Sequence, residues 1–408
     1  MSHLVSSADP SDTSSGSRGS AWSASGSPTS QSGAGGRTGF FGRPRGRPEL
    51  YSSYRQEQAL FNTRAKAVGA AILIGIAVLL PFNVSDDLLR ILGLGLVLAI
   101  GGIGLNLITG YAGQISLGHA FFVGVGAYTA SVVAGDPEGR ALGLGITFVP
   151  VWIIAAGAMA ALCGVVVAPL ATRLRGLYLA VVTLGLVFLG TYIFTEWSSV
   201  TGGPGVGREA PRPVVFGNDL TLDSAFTSDQ KLYWFFLALL LIGALAARNI
   251  ARSRIGRAFG AIRDRDIAAG VMGVDLARYK LIAFTVSSFY AGVCGSLLFV
   301  ANRHFGPEQF GLIMSIQFVA IVFIGGAATI SGSIMGALLI ASLPRISAEV
   351  AHLFPFISTA PNASPNIFEV EAILYGGLIV AFLLFEPRGL YGVWLRMRMY
   401  WKSFPFTY

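Results

Sequence analysis

From Ala65 onward the chain is a succession of apolar runs, each close to one membrane crossing in length and divided from the next by a short polar break. A helix rises 1.5 Å per residue, so a hydrocarbon core of ~30 Å needs ~20 apolar residues. Ten segments approach or meet that length: 65–82, 91–108, 116–134, 144–171, 176–195, 232–247, 280–301, 311–327, 329–345 and 369–386. The pattern predicts an all-α fold, a polytopic transmembrane helical bundle. The eighth and ninth runs are short, glycine-rich and joined near Gly325-Gly326-Ala327-Ala328-Thr329, which predicts broken or re-entrant helices there. Residues 1–60 show no such pattern. Ser and Gly dominate up to Gly36, and the basic stretch Gly42-Arg43-Pro44-Arg45-Gly46-Arg47-Pro48 follows. Such a segment buries too little apolar surface to offset its ordering entropy, so a disordered tail is expected. No apolar region follows Met1 in the manner of a signal peptide. The expected organisation is a tail over 1–60, a transmembrane domain over 61–390 and a short basic tail over 391–408.

Composition sharpens this. The chain has 408 residues, 53% hydrophobic and only 12% charged, with a mean hydropathy of +0.64. Soluble domains carry roughly 25% charged residues, so an ordinary soluble enzyme is excluded. Glycine supplies 52 residues, as expected where membrane helices pack closely. The two cysteines, Cys163 and Cys294, both lie in apolar runs and read as small buried thiols.

The net charge of +8 reports orientation. With the N-terminus inside and one crossing per run, 22 of the 29 Lys and Arg residues fall in the cytoplasmic stretches 1–66, 172–175, 248–280 and 387–408. Seven fall on the other side, a distribution that follows the positive-inside rule and places both termini in the cytoplasm. The basic excess therefore needs no nucleic-acid partner. The Arg-Pro-Arg-Gly-Arg run suits anionic lipid heads, and a solvated tail that sets topology accounts for it as well.

The spans lack several kinds of chemistry. Away from their ends they hold no Asp, Glu, Lys or Arg, and His119 is their one imidazole. Coupled carriers place ionisable groups near the midplane, so a secondary transporter is disfavoured. None of the four lysines follows a glycine, so no phosphate-binding Gly-Lys loop exists and the chain cannot hydrolyse ATP by that route. No His/Cys or His/acid cluster has metal-ligand spacing, and no catalytic set or cofactor is indicated. What remains is a transport pore without its own energy source, either a passive channel or one part of a pump driven by partners.

Two motifs narrow that choice. The first is Asn106-Leu107-Ile108-Thr109-Gly110-Tyr111-Ala112-Gly113-Gln114-Ile115-Ser116-Leu117-Gly118-His119-Ala120-Phe121-Phe122, which interrupts two spans with glycines and uncharged polar groups. Irregular backbone at membrane depth is tolerated where it lines a cavity or is buried in protein. A half-helix starting near Ser116, with Ser116 as its cap, would aim N–H groups at the break and suit a passing carboxylate. A tight interhelical turn, with glycines for packing and His119 hydrogen-bonded in the bundle, accounts for the same residues. On the transport reading the path residues are Asn106, Gly113, Gln114, Ser116, Gly118 and His119. The stretch GLNLITGYAGQISLGHAFFVGVGAYTAS closely resembles the signature of the permease subunits of branched-chain amino-acid ABC importers, and of the longer of their two permease types.

The second motif is RSRIGRAFGAIRDRDIAAGVMGVDLARYK, residues 252–280. Ile255, Ala258, Phe259 and Ile262 share one helical face. Asp264 or Asp266 suits the start of a second short helix ended by Gly270 or Gly273. Such a pair lies on lipid or fits a groove on a soluble partner. The stretch is similar to the coupling loop of the same permease family, taken here as 249–279. The resemblance implies that Arg257, Ile262, Arg263, Asp264, Ala268 and Gly273 form the contact with an ATP-binding subunit. Weaker likenesses lie at Arg173-Leu174-Arg175-Gly176-Leu177-Tyr178 and at Phe385-Glu386-Pro387-Arg388-Gly389-Leu390-Tyr391-Gly392. A short echo of Ile108–Ala120 in Ile324–Gly336 hints at a repeated half.

The resemblance covers about residues 65–395. It implies a permease without its own ATPase site in the cell membrane, in contact with membrane lipid. It would be paired with a second homologous permease, two ATP-binding cassette subunits and an extracytoplasmic substrate-binding protein facing the loop 197–230. The cargo implied is a small-molecule amino acid, branched-chain or similarly hydrophobic. Urea or short amides, carried by close relatives, are the alternative within the family. A self-sufficient channel or secondary carrier is the alternative outside it.

Overall fold

The computed structural model describes residues 64–353 and 367–403, apart from 140, 175, 216, 224, 225 and 387. The tail expected over 1–60 and the last five residues lie outside the described residues.

Among the described residues the chain is helical, as the apolar pattern predicts. The helices are α1 (Arg64–Leu79), α2 (Asp86–Asn106), α3 (His119–Ala134), α4 (Val149–Arg173), α5 (Leu177–Glu196), the single turn α6 (Ser198–Thr201), α7 (Ser228–Arg252), α8 (Arg254–Val271), α9 (Leu276–Asn302), α10 (Leu312–Gly325), α11 (Ile330–Leu353), α12 (Ile367–Phe385) and α13 (Gly389–Ser403). Six are long and apolar enough to cross a membrane: α2 with the turn that extends it, α4, α5, α7, α9 and α11. Four shorter apolar stretches, 68–82, 119–134, 312–325 and 372–382, bring the total to the ten read from the sequence. The short ones include α3, which begins after the break at 107–118, and α10, which ends at the 326–329 turn.

Local chemistry sets several boundaries. Thr227 and Gln230 form a reciprocal capping box at the start of α7. The Ser253 hydroxyl accepts from Ile255 N at 3.1 Å and starts α8 one residue after α7 ends. Asp275 accepts from Arg278 N and starts α9. Helix α11 runs through Pro344 to Leu353, beyond the end expected near 345.

The bundle is organised around α2 and α9. Helix α2 is almost wholly enclosed by α7, α9, α10 and α11, while α9 packs on α4 and α3. In lipid, helices gain little from burying apolar surface against one another, so close backbone approach and dispersion hold them. The junction of α3, α4 and α9 shows this. A Cβ on Gly126 would stand 2.3 Å from the Gly292 carbonyl oxygen, and one on Gly292 would stand 2.4 Å from that of Ala156. Only glycine permits this spacing. Cys294 is buried and Cys163 partly so, and both are free thiols.

The two ends of the bundle differ in character. At one end lie residues 107–118, Leu174, Gly176, α8, the 326–329 turn and α13. At the other lie small antiparallel pairings, β1 (Arg208–Glu209) with β4 (His304–Phe305) and β2 (Val214–Val215) with β3 (Asn218–Asp219). Arg208 is buried there and donates to the carbonyls of Ser131 at 2.5 Å and Leu142 at 2.6 Å. Burial lowers its pKa from the ordinary arginine value, opposed by the nearby Tyr128.

Candidate functional site

Helix α2 does not stop at Asn106. It widens into a π turn over Leu107–Tyr111, in which Ala112 N reaches Leu107 O at 3.2 Å and Gln114 N reaches Ile108 O at 3.0 Å. Such turns displace one residue from the helical ladder and are frequent at functional sites. Gly113 then takes φ +67, the left-handed region, and the chain runs without helical bonding to His119.

Two N–H groups around the start of α3 are satisfied from within the bundle. Thr183 of α5 accepts from Leu117 N at 3.0 Å, and Ser315 of α10 accepts from Ala120 N at 3.2 Å. The sequence suggested Ser116 as the cap. Its hydroxyl instead accepts from Gly118 N at 3.4 Å, before the first helical residue. A hydroxyl brought from 195 residues away meets the helix N-terminus, which no local pattern reveals.

Asn106 is a clasp. Its Nδ2 donates to Thr329 O at 2.9 Å and to Ser333 Oγ at 2.7 Å, while its Oδ1 accepts from Ala328 N at 2.8 Å. Both ends of the amide are engaged, and the α2 break is fastened to the α10–α11 turn. Ala328 holds φ +59, a left-handed conformation unusual for a residue with a side chain. The two segments of the faint internal echo thus lie side by side. His119 is also buried, with Nε2 2.9 Å from Gly101 O and its ring edge-on to Phe318. This is the hydrogen-bonded bundle histidine of the turn reading. No metal-binding group of His, Cys, Asp or Glu occurs among the described residues.

Gln114 behaves differently. Its side chain is buried, yet neither amide atom has a hydrogen-bond partner. Its backbone carbonyl accepts from Thr109 Oγ1 at 3.2 Å, which fixes the peptide but leaves the side chain uncommitted. Gln114 and Gly113 line a cavity of about 230 Å³ shared with Leu174, Leu179, residues 262–266 of α8, and Lys280 at the start of α9. Lys280, buried despite its charge, is a member that sequence reasoning missed.

The two motifs meet at this cavity. Arg263 Nη1 donates to Gly110 O at 3.3 Å. A Cβ on Gly113 would come within 2.9 Å of the Arg263 Cα, so the backbones of break and loop are in direct apposition. Arg263 also pairs with Asp264 at 3.0 Å.

Helix α8 is bent as the sequence suggested, at Arg265, where φ −157 and ψ 97 leave helical geometry. Its end is a Schellman motif. Gly273 N bonds Gly270 O and Val274 N bonds Ala269 O, with Gly273 at φ +86. The apolar face read from the sequence has a different destination from a partner's groove. Ala258, Phe259 and Ile262 are buried within this chain, so Ile262 supports the loop from beneath. Arg257, Asp264, Ala268 and Gly273 are exposed. Beyond the bend Ile267, Val271 and Met272 form a second apolar group, 70–83% exposed. Their i, i+4, i+5 spacing was available in the sequence but was overshadowed by the longer pattern before the bend.

A many-spanned bundle with a broken central span, met by a bent helix outside the spans, defines the class of transport permeases. The family model for the permease component of branched-chain amino acid transport systems matches residues 88–383, and the chain belongs to that family. It is 32% identical over 336 residues to the high-affinity branched-chain amino acid transport system permease protein LivM of Escherichia coli K12, covering 78% of this chain and 73% of that one. The LivM of Salmonella typhimurium is 31% identical over the same shares. The LivH permease of Escherichia coli K12 is 23% identical over 73% of this chain and 92% of its own. No solved structure matches. The chain is a multi-pass membrane protein of the ABC permease type.

Proposed function

We propose that the chain forms half of the membrane path of an importer for branched-chain or similarly hydrophobic amino acids, driven by ATP hydrolysis in partner subunits. The observation that carries this reading is the seat of Arg263 on Gly110 and Gly113. A force applied to α8 from outside the spans reaches the break in α2 with no intervening element. A self-sufficient channel or carrier has no use for such a lever.

On this reading the Gly113 end faces the cytoplasm, because the basic residues outside the spans concentrate there. The two ATP-binding subunits dock on α8 and on its counterpart in a second, homologous permease. Here the exposed Ile267, Val271 and Met272 supply apolar contact, and Arg257, Asp264, Ala268 and Gly273 border it. Loop 197–227 faces the extracytoplasmic binding protein. Within the interrupted stretch, Gly113 and Gln114 belong to the inner vestibule of the path. Asn106, Ser116, Gly118 and His119 hold the backbone that shapes it.

The test is uptake of labelled leucine into vesicles holding the complete complex and its binding protein. Uptake that requires ATP and survives collapse of the proton gradient is expected. Entry without ATP, or loss on collapsing the gradient alone, refutes the reading. Competition with urea and short amides identifies the cargo within the family.

A further inference from the structure

A buried, unpartnered amide costs stability, because its lost hydration is not replaced. Gln114 keeps an amide without a protein partner in a fold where Asn106, eight residues earlier, has both ends of its amide engaged. Gln114 lies in the wall of a cavity, and rotation about its side-chain torsions moves the amide without breaking a hydrogen bond to this chain. At about 230 Å³ the cavity is smaller than the sites that take drug-sized ligands and suits a small metabolite.

The lining is two-sided. Arg263, Arg265 and Lys280 are cationic, Asp264 and Asp266 anionic, and Leu174, Leu179 and Ile262 aliphatic. An amide offers one donor group and one acceptor, which matches an ammonium and a carboxylate carried by the same molecule. The walls come from four separate elements: the α2 break, the α4–α5 turn, α8 at its bend, and the start of α9.

We propose that this cavity binds the transported amino acid from the cytoplasmic side and that its occupancy slows import. The inference rests on the transport reading above. The zwitterion bridges Gln114 and the charged groups, with its aliphatic chain against Leu174 and Leu179. Bound there, it ties α8 to the break and favours one arrangement of walls that must shift relative to one another during a cycle. A ligand that prefers one of two conformations shifts the population toward it. Import thereby falls as the internal pool rises.

The experiment uses the complete complex in vesicles preloaded with ATP, with or without millimolar L-leucine inside. Initial ATP-driven uptake of labelled isoleucine is measured and normalised to inserted protein. The expected result is a fall of about fivefold or more with internal leucine. The same L-leucine supplied only outside, without binding protein, has little effect. The external arm separates occupancy from the internal pool from transit through the path. Each variant is judged by its own ratio of uptake with and without internal leucine. The ratio returns to near one in Gln114→Leu. Should Gln114→Leu fail to insert, Leu179→Trp, which fills the cavity, gives the same reading. ATP-driven uptake indifferent to internal leucine overturns this inference alone. Absence of any ATP-driven uptake of branched-chain amino acids overturns the transport reading as well.

Discussion

The guanidinium of Arg263 bonds the backbone carbonyl of Gly110 at 3.3 Å, joining positions 153 apart in sequence. The acceptor lies in the π turn of α2, where a carbonyl has left the regular ladder and is available to a donor from outside. The contact unites the broken span and the bent helix, and the function proposed here depends on it.

Charge reversal at this contact should uncouple the machine. Arg263→Glu removes the donor and places a carboxylate beside both Gly110 O and Asp264. ATP-driven leucine uptake in vesicles should fall by about tenfold or more, given the usual size of coupling energies. Membrane insertion and thermal stability should change little, since the side chain is partly exposed. Uptake at the normal rate in this variant and in Asp264→Arg would count against α8 as the coupling element.

Gly113→Ala tests the apposition from the other side. A left-handed backbone costs a residue with a side chain ~1–2 kcal/mol. The added Cβ also meets the Arg263 Cα at 2.9 Å, a backbone atom that cannot rotate away. The double variant Gly113→Ala with Arg263→Ala should recover little, because the clash with Cα persists. Melting of the purified complex, followed with uptake, checks this. Full rescue by the double variant would show the contact to be one of side chain only.

Asn106→Leu removes a clasp with no substitute nearby. The Ala328 N–H loses its partner, at ~1–3 kcal/mol for an orphaned group, while Ser333 Oγ loses one partner and keeps its bond to Thr329 O. A large drop in melting temperature and poor recovery from the membrane are expected. Wild-type stability would mean that the α2 break and the α10–α11 turn are held together by packing alone.

Much of this was legible in the sequence. Ten apolar runs became ten apolar helical stretches, because length and hydropathy decide what spans a bilayer. The bend of α8 was readable from Asp264, Asp266 and Gly273. What could not be read was long-range. Ser315 serving Ala120, Asn106 fastening Ala328, and Arg263 seated on Gly113 depend on how breaks from different spans face one another. The face through Phe259 and Ile262 was legible as apolar, but its destination was not. A helical stripe shows that something covers it, without showing whether the cover belongs to this chain.

With Phe259 and Ile262 buried inside, the exposed apolar atoms of α8 lie beyond the bend, at Ile267, Val271 and Met272. In water these side chains favour a partner's groove, and fully burying each contributes ~1.5–3 kcal/mol. Val271→Asp and Met272→Asp should leave the isolated permease pair folded, because neither side chain packs within this chain. Co-purification of the ATP-binding subunits should drop sharply, and uptake with it. A neutral swap, Met272→Leu, should keep both. If the aspartate variants retain their ATP-binding subunits, docking occurs elsewhere on α8, and Arg257 on its first half becomes the position to test next.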